Sequence, residues 1–148
     1  GVRGFGPRRS TQFGKYNTAE YVAETHKNIL KLVQIETREA VENIDAIANT
    51  PGVGVIVIGP MDLSGAFGKL AQTKDPEIRK VYRYVAEHAR AAGKPVLVST
   101  GGYDPENIRF WASIGVNMIT VGNEPGYIGD GLKTTLKNFR SVMDELKK

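Results

Sequence analysis

The sequence predicts an α/β protein built on a parallel sheet. Short apolar runs rich in Val and Ile recur at residues 29–36, 53–58, 95–99 and 116–121, and runs of this length and composition read as buried strands. Between them lie segments whose apolar residues recur at three- and four-residue spacing, the signature of amphipathic helices. Strands that alternate with helices imply parallel pairing through right-handed crossovers. The order is βαβαβαβα after a short N-terminal stretch. No linker or low-complexity segment interrupts it, so a single domain over residues 1–148 is expected.

Residues 1–14, GVRGFGPRRSTQFG, hold four glycines and one proline, which predicts loop. Arg3, Arg8 and Arg9 are suited to anionic groups, but the Gly-x-x-Gly-x-Gly spacing has no strand before it and so no dinucleotide-binding context. Residues 17–28 read as a short helix, capped by Asn17 or Thr18 with Glu20 in its first turn. His26, near its end, reads as a surface residue. The first strand follows at 29–36. A helix over 38–49 places Ala40, Val41, Ile44, Ile47 and Ala48 on one face, and Thr50-Pro51-Gly52 stops it.

The second strand spans 53–58, and residues 59–73 read as a long loop. Asp75-Pro76-Glu77 is a cap, a proline at the first helical position and an acid in the first turn. The helix it starts runs through Ile78, Val81, Val85 and Ala89 to Gly93, with His88 read as surface or packing. The third strand is 95–99. Asp104-Pro105-Glu106 starts another helix, with Ile108, Trp111, Ala112 and Ile114, that stops at Gly115. The fourth strand, 116–121, ends on Gly122-Asn123-Glu124. A final helix over 131–147 places Leu132, Leu136, Phe139, Val142, Met143 and Leu146 on an apolar face.

Composition narrows the classes of function. The 148 residues are 41% hydrophobic and 24% charged, ordinary for a globular domain with a core. There is no cysteine, which excludes a disulfide framework, a zinc–thiolate site and a catalytic thiol. No apolar run approaches the roughly 20 residues that span a bilayer, and no signal peptide is visible, so a cytoplasmic protein without a membrane partner is expected. The net charge of +4 forms no block and is not interleaved with aromatics, which argues against nucleic acid as a partner. The first residue is Gly1 rather than Met, so a processed, excised or incomplete chain is expected.

The chemistry concentrates in Leu32-Val33-Gln34-Ile35-Glu36 and Val57-Ile58-Gly59-Pro60-Met61-Asp62. Each is an apolar run that reaches a carboxylate. In parallel α/β sheets, sites collect at the carboxyl ends of the strands. Glu36 and Asp62, two hard oxygen donors from neighbouring strand ends, suit one divalent cation. The same acids also suit the first turn of a following helix. Four βα units are too few for an eight-stranded barrel of about 250 residues. A small open doubly wound sheet and half of a barrel both fit.

Four stretches carry a resemblance. GVRGFGPRRS, then VQIET with EAVENIDAIA, then VGVIVIGPMDLSGAFG, then ARAAGKPVLV resemble, in order, the C-terminal part of the 4-hydroxy-2-oxoheptanedioate (HpcH/HpaI) aldolase family. The match runs from Gly1 to about Val121 and is weaker in the last helix. This family comprises class II, metal-dependent pyruvate aldolases related to citrate lyase β-chains.

The resemblance implies half of a TIM barrel of the pyruvate/phosphoenolpyruvate type, within a homo-oligomer. It places Glu36 and Asp62 as ligands of a divalent metal (Mg²⁺, Mn²⁺ or Co²⁺). It places Gln34 at the substrate and Met61 and Asp62 where backbone N–H groups hold the pyruvate carboxylate. Alternation along a strand puts Gln34 and Glu36 on the same side. The implied reaction is cleavage of a 4-hydroxy-2-oxo acid to pyruvate and an aldehyde through a pyruvate enolate. The family's catalytic arginine and histidine belong to strands with no counterpart in this sequence, so no residue here is assigned as the acid–base group. No lysine sits at the end of a predicted strand, where a Schiff-base aldolase needs one. Two alternatives stand beside this reading: a non-catalytic half-barrel that self-associates, and a citrate-lyase-like acyl-CoA cleavage.

Overall fold

The computed structural model describes residues 4, 6, 8–100 and 102–147. The chain divides into two compact units, Gly1–Lys31 and Leu32–Lys148. The first holds a 3₁₀ turn at Arg9–Gly14 and helix α1, Thr18–Asn28. Asn17 caps α1, its side-chain oxygen accepting from the Ala19 and Glu20 amides at 2.9 and 3.2 Å. His26 is exposed, and so are Arg8 and Arg9, while Arg3 lies outside the described residues.

The second unit is a four-stranded sheet with helices between its strands. In chain order its elements are β1 (Leu32–Ile35), α2 (Arg38–Glu42), α3 (Ile44–Asn49), β2 (Val55–Ile58), α4 (Pro60–Ala66) and α5 (Pro76–Ala91). Then come β3 (Val96–Ser99), α6 (Pro105–Ser113), β4 (Met118–Thr120) and α7 (Glu124–Glu145). The strands lie in the order β1-β2-β3-β4 and every pairing is parallel. Leu32 pairs with Val55, Ile56 with Val96, and Leu97 with Met118.

The placement of the core decides between the two architectures open from the sequence. Side chains alternate faces along a strand. Ile35, Ile56, Ile58, Val96 and Val98 fall on one face and share a single buried cluster with Val41, Ile44, Leu63, Ile78, Tyr82, Val85, Phe110 and Trp111 from the helices. A doubly wound sheet has helices on both faces and a reversal in strand order. Here the strand order never reverses and the buried helix residues join one strand face. This is the winding of a (β/α) barrel, and the second unit is a run of four consecutive barrel units.

Several elements differ from expectation. The predicted helix over 38–49 is two helices. Asn43 breaks it, with non-helical backbone and its side-chain amide donating to the Glu39 carbonyl at 2.9 Å. Residues 59–73 are not all loop, because Pro60 at the first helical position starts the seven-residue α4, which buries Leu63 and Ser64. The last helix starts at Glu124, where the Asn123 side chain accepts from the Gly126 amide at 2.9 Å. None of its residues is buried, so the expected apolar face is present and lies open. Strand β1 is not fully buried: only Ile35 is, and Leu32 is 46% exposed, because β1 is an edge of the sheet. Strand β2, paired on both sides, is buried at all four positions.

Candidate active site

A cleft of about 310 Å³ opens beyond the carboxyl ends of β1, β2 and β3. Gln34, Glu36, Gly59, Pro60, Met61 and Asp62 line it on one side, with Thr73, Ser99, Thr100 and Asn107 completing the wall. Gln34 and Glu36 lie on the strand face opposite the helices, two residues apart, as alternation requires. Gln34 Nε2 donates to Glu36 Oε1 at 2.8 Å. This bond fixes one Glu36 oxygen and leaves lone pairs on the other.

Gly59 makes room for that carboxylate. A Cβ at Gly59 would stand 2.8 Å from Glu36 Cγ and 2.9 Å from Glu36 Cδ and would overlap Oε1 as well. The backbone there is ordinary, with φ −97° and ψ 91°, so the need for glycine is steric. The glycine and the acid, each just beyond the end of a different strand, form one structural unit.

Past Gly59 the chain turns into α4. The Leu63 amide donates to the Gly59 carbonyl at 2.9 Å, closing the first turn. The Met61 and Asp62 amides, among the first of the helix, have no partner among the described residues, as the geometry of a helix start requires. The Met61 side chain is 52% exposed and Asp62 is exposed. Below the turn, Ser64 is fully buried and its hydroxyl donates to the Met61 carbonyl at 2.8 Å.

Two side chains from other elements hold α4. Tyr82 of α5, fully buried, donates its phenol O–H to the Pro60 carbonyl at 3.1 Å. Burial pushes its pKa up, so the phenol stays protonated as a donor. At the other end, Arg38 Nε donates to the Ala66 carbonyl at 2.7 Å while its guanidinium lies 4.2 Å from the centre of the Phe67 ring. The loop to α5 is tied by Lys69, paired with Asp75 at 2.9 Å and with Glu77. Those hydrogen bonds raise the Lys69 pKa and hold Asp75 below the usual carboxylate range. Neither Tyr82 nor Arg38 was legible as a site residue from the sequence.

The donor set fits a divalent ion. Glu36 and Asp62 carry hard oxygen donors, and both line the same cleft. The glycine cradle holds Glu36 at the strand end, and no group of three or more His, Cys, Asp or Glu residues gathers among the described residues. His88 on α5 meets Asp45 at 2.7 Å and stacks on Tyr84, and it does not line the cleft.

Comparison with known proteins gives the family. Residues 3–123 match the family described as HpcH/HpaI aldolase/citrate lyase. The 5-keto-4-deoxy-D-glucarate aldolase of Enterobacter sp. (strain 638) is 34% identical over 142 residues, 95% of this chain and 54% of that protein. The crystal structure of an HpcH/HpaI aldolase from Desulfitobacterium hafniense DCB-2 superposes with a TM-score of 0.73 at 30% identity, covering 96% of this chain and 53% of that one. A family member from Burkholderia cenocepacia J2315 superposes at 0.81 with 27% identity, covering 95% and 53%. The chain therefore belongs to the HpcH/HpaI aldolase/citrate lyase family. It spans about half the length of the curated relatives it matches.

Proposed function

We propose that this chain is the C-terminal portion of a (β/α)₈ barrel and supplies the metal- and pyruvate-binding part of a class II aldolase. The reaction is cleavage of a 4-hydroxy-2-oxo acid to pyruvate and an aldehyde. The observation that carries the proposal is the convergence of Gln34, Glu36 and Asp62 on one cleft at the ends of paired strands. Relatives named for an aldolase reaction on a keto-deoxy sugar acid support the substrate class.

Glu36 and Asp62 are the residues that would hold the ion, Mg²⁺, Mn²⁺ or Co²⁺. Two protein oxygens leave positions for water and substrate, as ions of this type require. When bound, the ion supplies Lewis acidity, polarising the keto group of pyruvate and lowering the cost of removing a methyl proton. The chain's own residues bind and orient. The Met61 and Asp62 amides donate to the pyruvate carboxylate. Gln34, which lines the cleft, has a second N–H beyond the one it gives Glu36, and this N–H is the donor we assign to the substrate. Pro60, itself buried, forms part of the cleft wall where the chain turns into α4.

The test is proton–deuterium exchange of the pyruvate methyl group, followed by NMR with and without Mn²⁺. Exchange is expected with the metal and is expected to vanish in Asp62→Ala. Exchange that is independent of the metal, or that survives in Asp62→Ala, refutes the assignment.

A further inference from the structure

We infer that Tyr82 is a positioning residue of the cleft: through the Pro60–Met61 peptide it aims the Met61 N–H at the substrate carboxylate. The inference rests on the function proposed above and concerns a residue that lies outside the cleft.

The argument starts from the peptide bond. Its atoms are coplanar, and in the trans form the C=O and N–H point in opposite directions. The Pro60 carbonyl and the Met61 N–H belong to one such plane. The Tyr82 hydroxyl grips the Pro60 carbonyl at 3.1 Å from the core side, since Tyr82 is fully buried. The Met61 N–H therefore points away from the Tyr82 hydroxyl. Met61 lines the cleft, and its amide has no partner among the described residues. A hydrogen bond to the carbonyl also polarises the peptide and makes its N–H a better donor.

Tyr82 is itself locked. Its ring centre lies 4.8 Å from that of Trp111 and 6.5 Å from that of Phe110, so the phenol cannot swing without disturbing the core. Trp111 is the single tryptophan of the chain, and it reports on the packing of Tyr82 directly.

Tyr82→Phe removes only the hydroxyl. In the full chain, Mn²⁺ affinity is measured by electron paramagnetic resonance. Pyruvate affinity is then measured calorimetrically at saturating Mn²⁺, with Trp111 emission as the packing control. The expected result is Mn²⁺ affinity within twofold of wild type, pyruvate binding weakened about fivefold to tenfold, and unchanged emission. Pyruvate affinity within twofold of wild type overturns the inference. So does a parallel loss of both affinities with shifted emission, which would mark a purely structural role. In metal-free protein the Met61 amide resonance should move on substitution, and an unmoved resonance overturns the inference whatever the metal does. A wild-type chain that binds no Mn²⁺ refutes the reading of the site instead.

Discussion

Replacing Gly59 with alanine is the sharpest probe of how the site is built. The added Cβ would stand 2.8 Å from Glu36 Cγ and 2.9 Å from Cδ, against a comfortable carbon–carbon separation of about 3.5–4.0 Å. The Glu36 side chain must therefore withdraw by about 0.7 Å or more. Binding constellations tolerate errors of about 0.5 Å, so the displacement exceeds what the site can absorb. The Gln34–Glu36 hydrogen bond, 2.8 Å in the native chain, is broken or lengthened in the process.

The cost to stability is modest, because Glu36 is half-buried and can rotate toward the open cleft. Overpacking and the lost bond together predict about 1–2 kcal/mol. For a chain of this size that lowers Tm by about 2–8 °C. The cost to the site is larger relative to its function: Mn²⁺ affinity should fall about tenfold or more. Calorimetric titration with Mn²⁺ and a thermal melt test both figures. Native Mn²⁺ affinity in a Gly59→Ala chain would refute the claim that this glycine exists to seat the carboxylate.

Two further outcomes are expected. Asp75 and Asp104 are held below the ordinary carboxyl range by hydrogen bonds from Lys69 and Lys74 respectively, so their contribution is full above an unfolded pKa of about 3.9 and is lost as pH falls through the lower folded value. Asp75→Asn with Asp104→Asn keeps the helix caps but removes the charges. The acid limb of a urea-midpoint series below about pH 4 should then be shallower than in wild type. The effect should be small and weaker in salt, because neither pair is fully buried, and identical limbs at low salt would contradict the pairing. On α7, Leu136 and Phe139 are 47% and 62% exposed on a helix that buries nothing. Exposed apolar faces of this extent favour association. The chain should sediment as an oligomer that Leu136→Glu with Phe139→Glu dissociates, and a folded wild-type monomer would contradict this.

Much of the fold was legible because its signals are local. Asp75-Pro76-Glu77 and Asp104-Pro105-Glu106 start α5 and α6 where the punctuation predicts. The Val55–Ile58 run is buried on both faces, as an unbroken β-branched stretch suggests. What was illegible depends on neighbours. Apolar composition does not say whether a strand is central or an edge, so the exposure of Leu32 was missed. Seven residues are too few for helical periodicity to register, so α4 read as loop. Gly126, Gly129 and Gly131 masked the first turns of α7, which Asn123 and Pro125 nevertheless start. The choice between an open sheet and barrel winding depends on which face the helices cover, and periodicity carries no such information.

The site divides in the same way. Glu36 and Asp62 were visible as strand-end acids and Gln34 and Met61 through the family resemblance, and the structure brings all four to one cleft. Tyr82 was not, since nothing in the pattern of α5 says that one of its buried side chains bonds a carbonyl 22 residues earlier.

The unbroken order β1-β2-β3-β4 also bears on how the chain folds. Among the described residues each strand pairs only with its predecessor and its successor, so these four strands can pair in the order of the chain. Each closure spans one connection between neighbouring strands rather than the whole chain, which limits its entropic cost. Helix α5 connects β2 to β3 and packs on both. We expect β2, α5 and β3 to condense first and the outer strands to join them in turn. Unfolding should then begin at the edges, with β1 and β4 amides exchanging before those of β2 and β3.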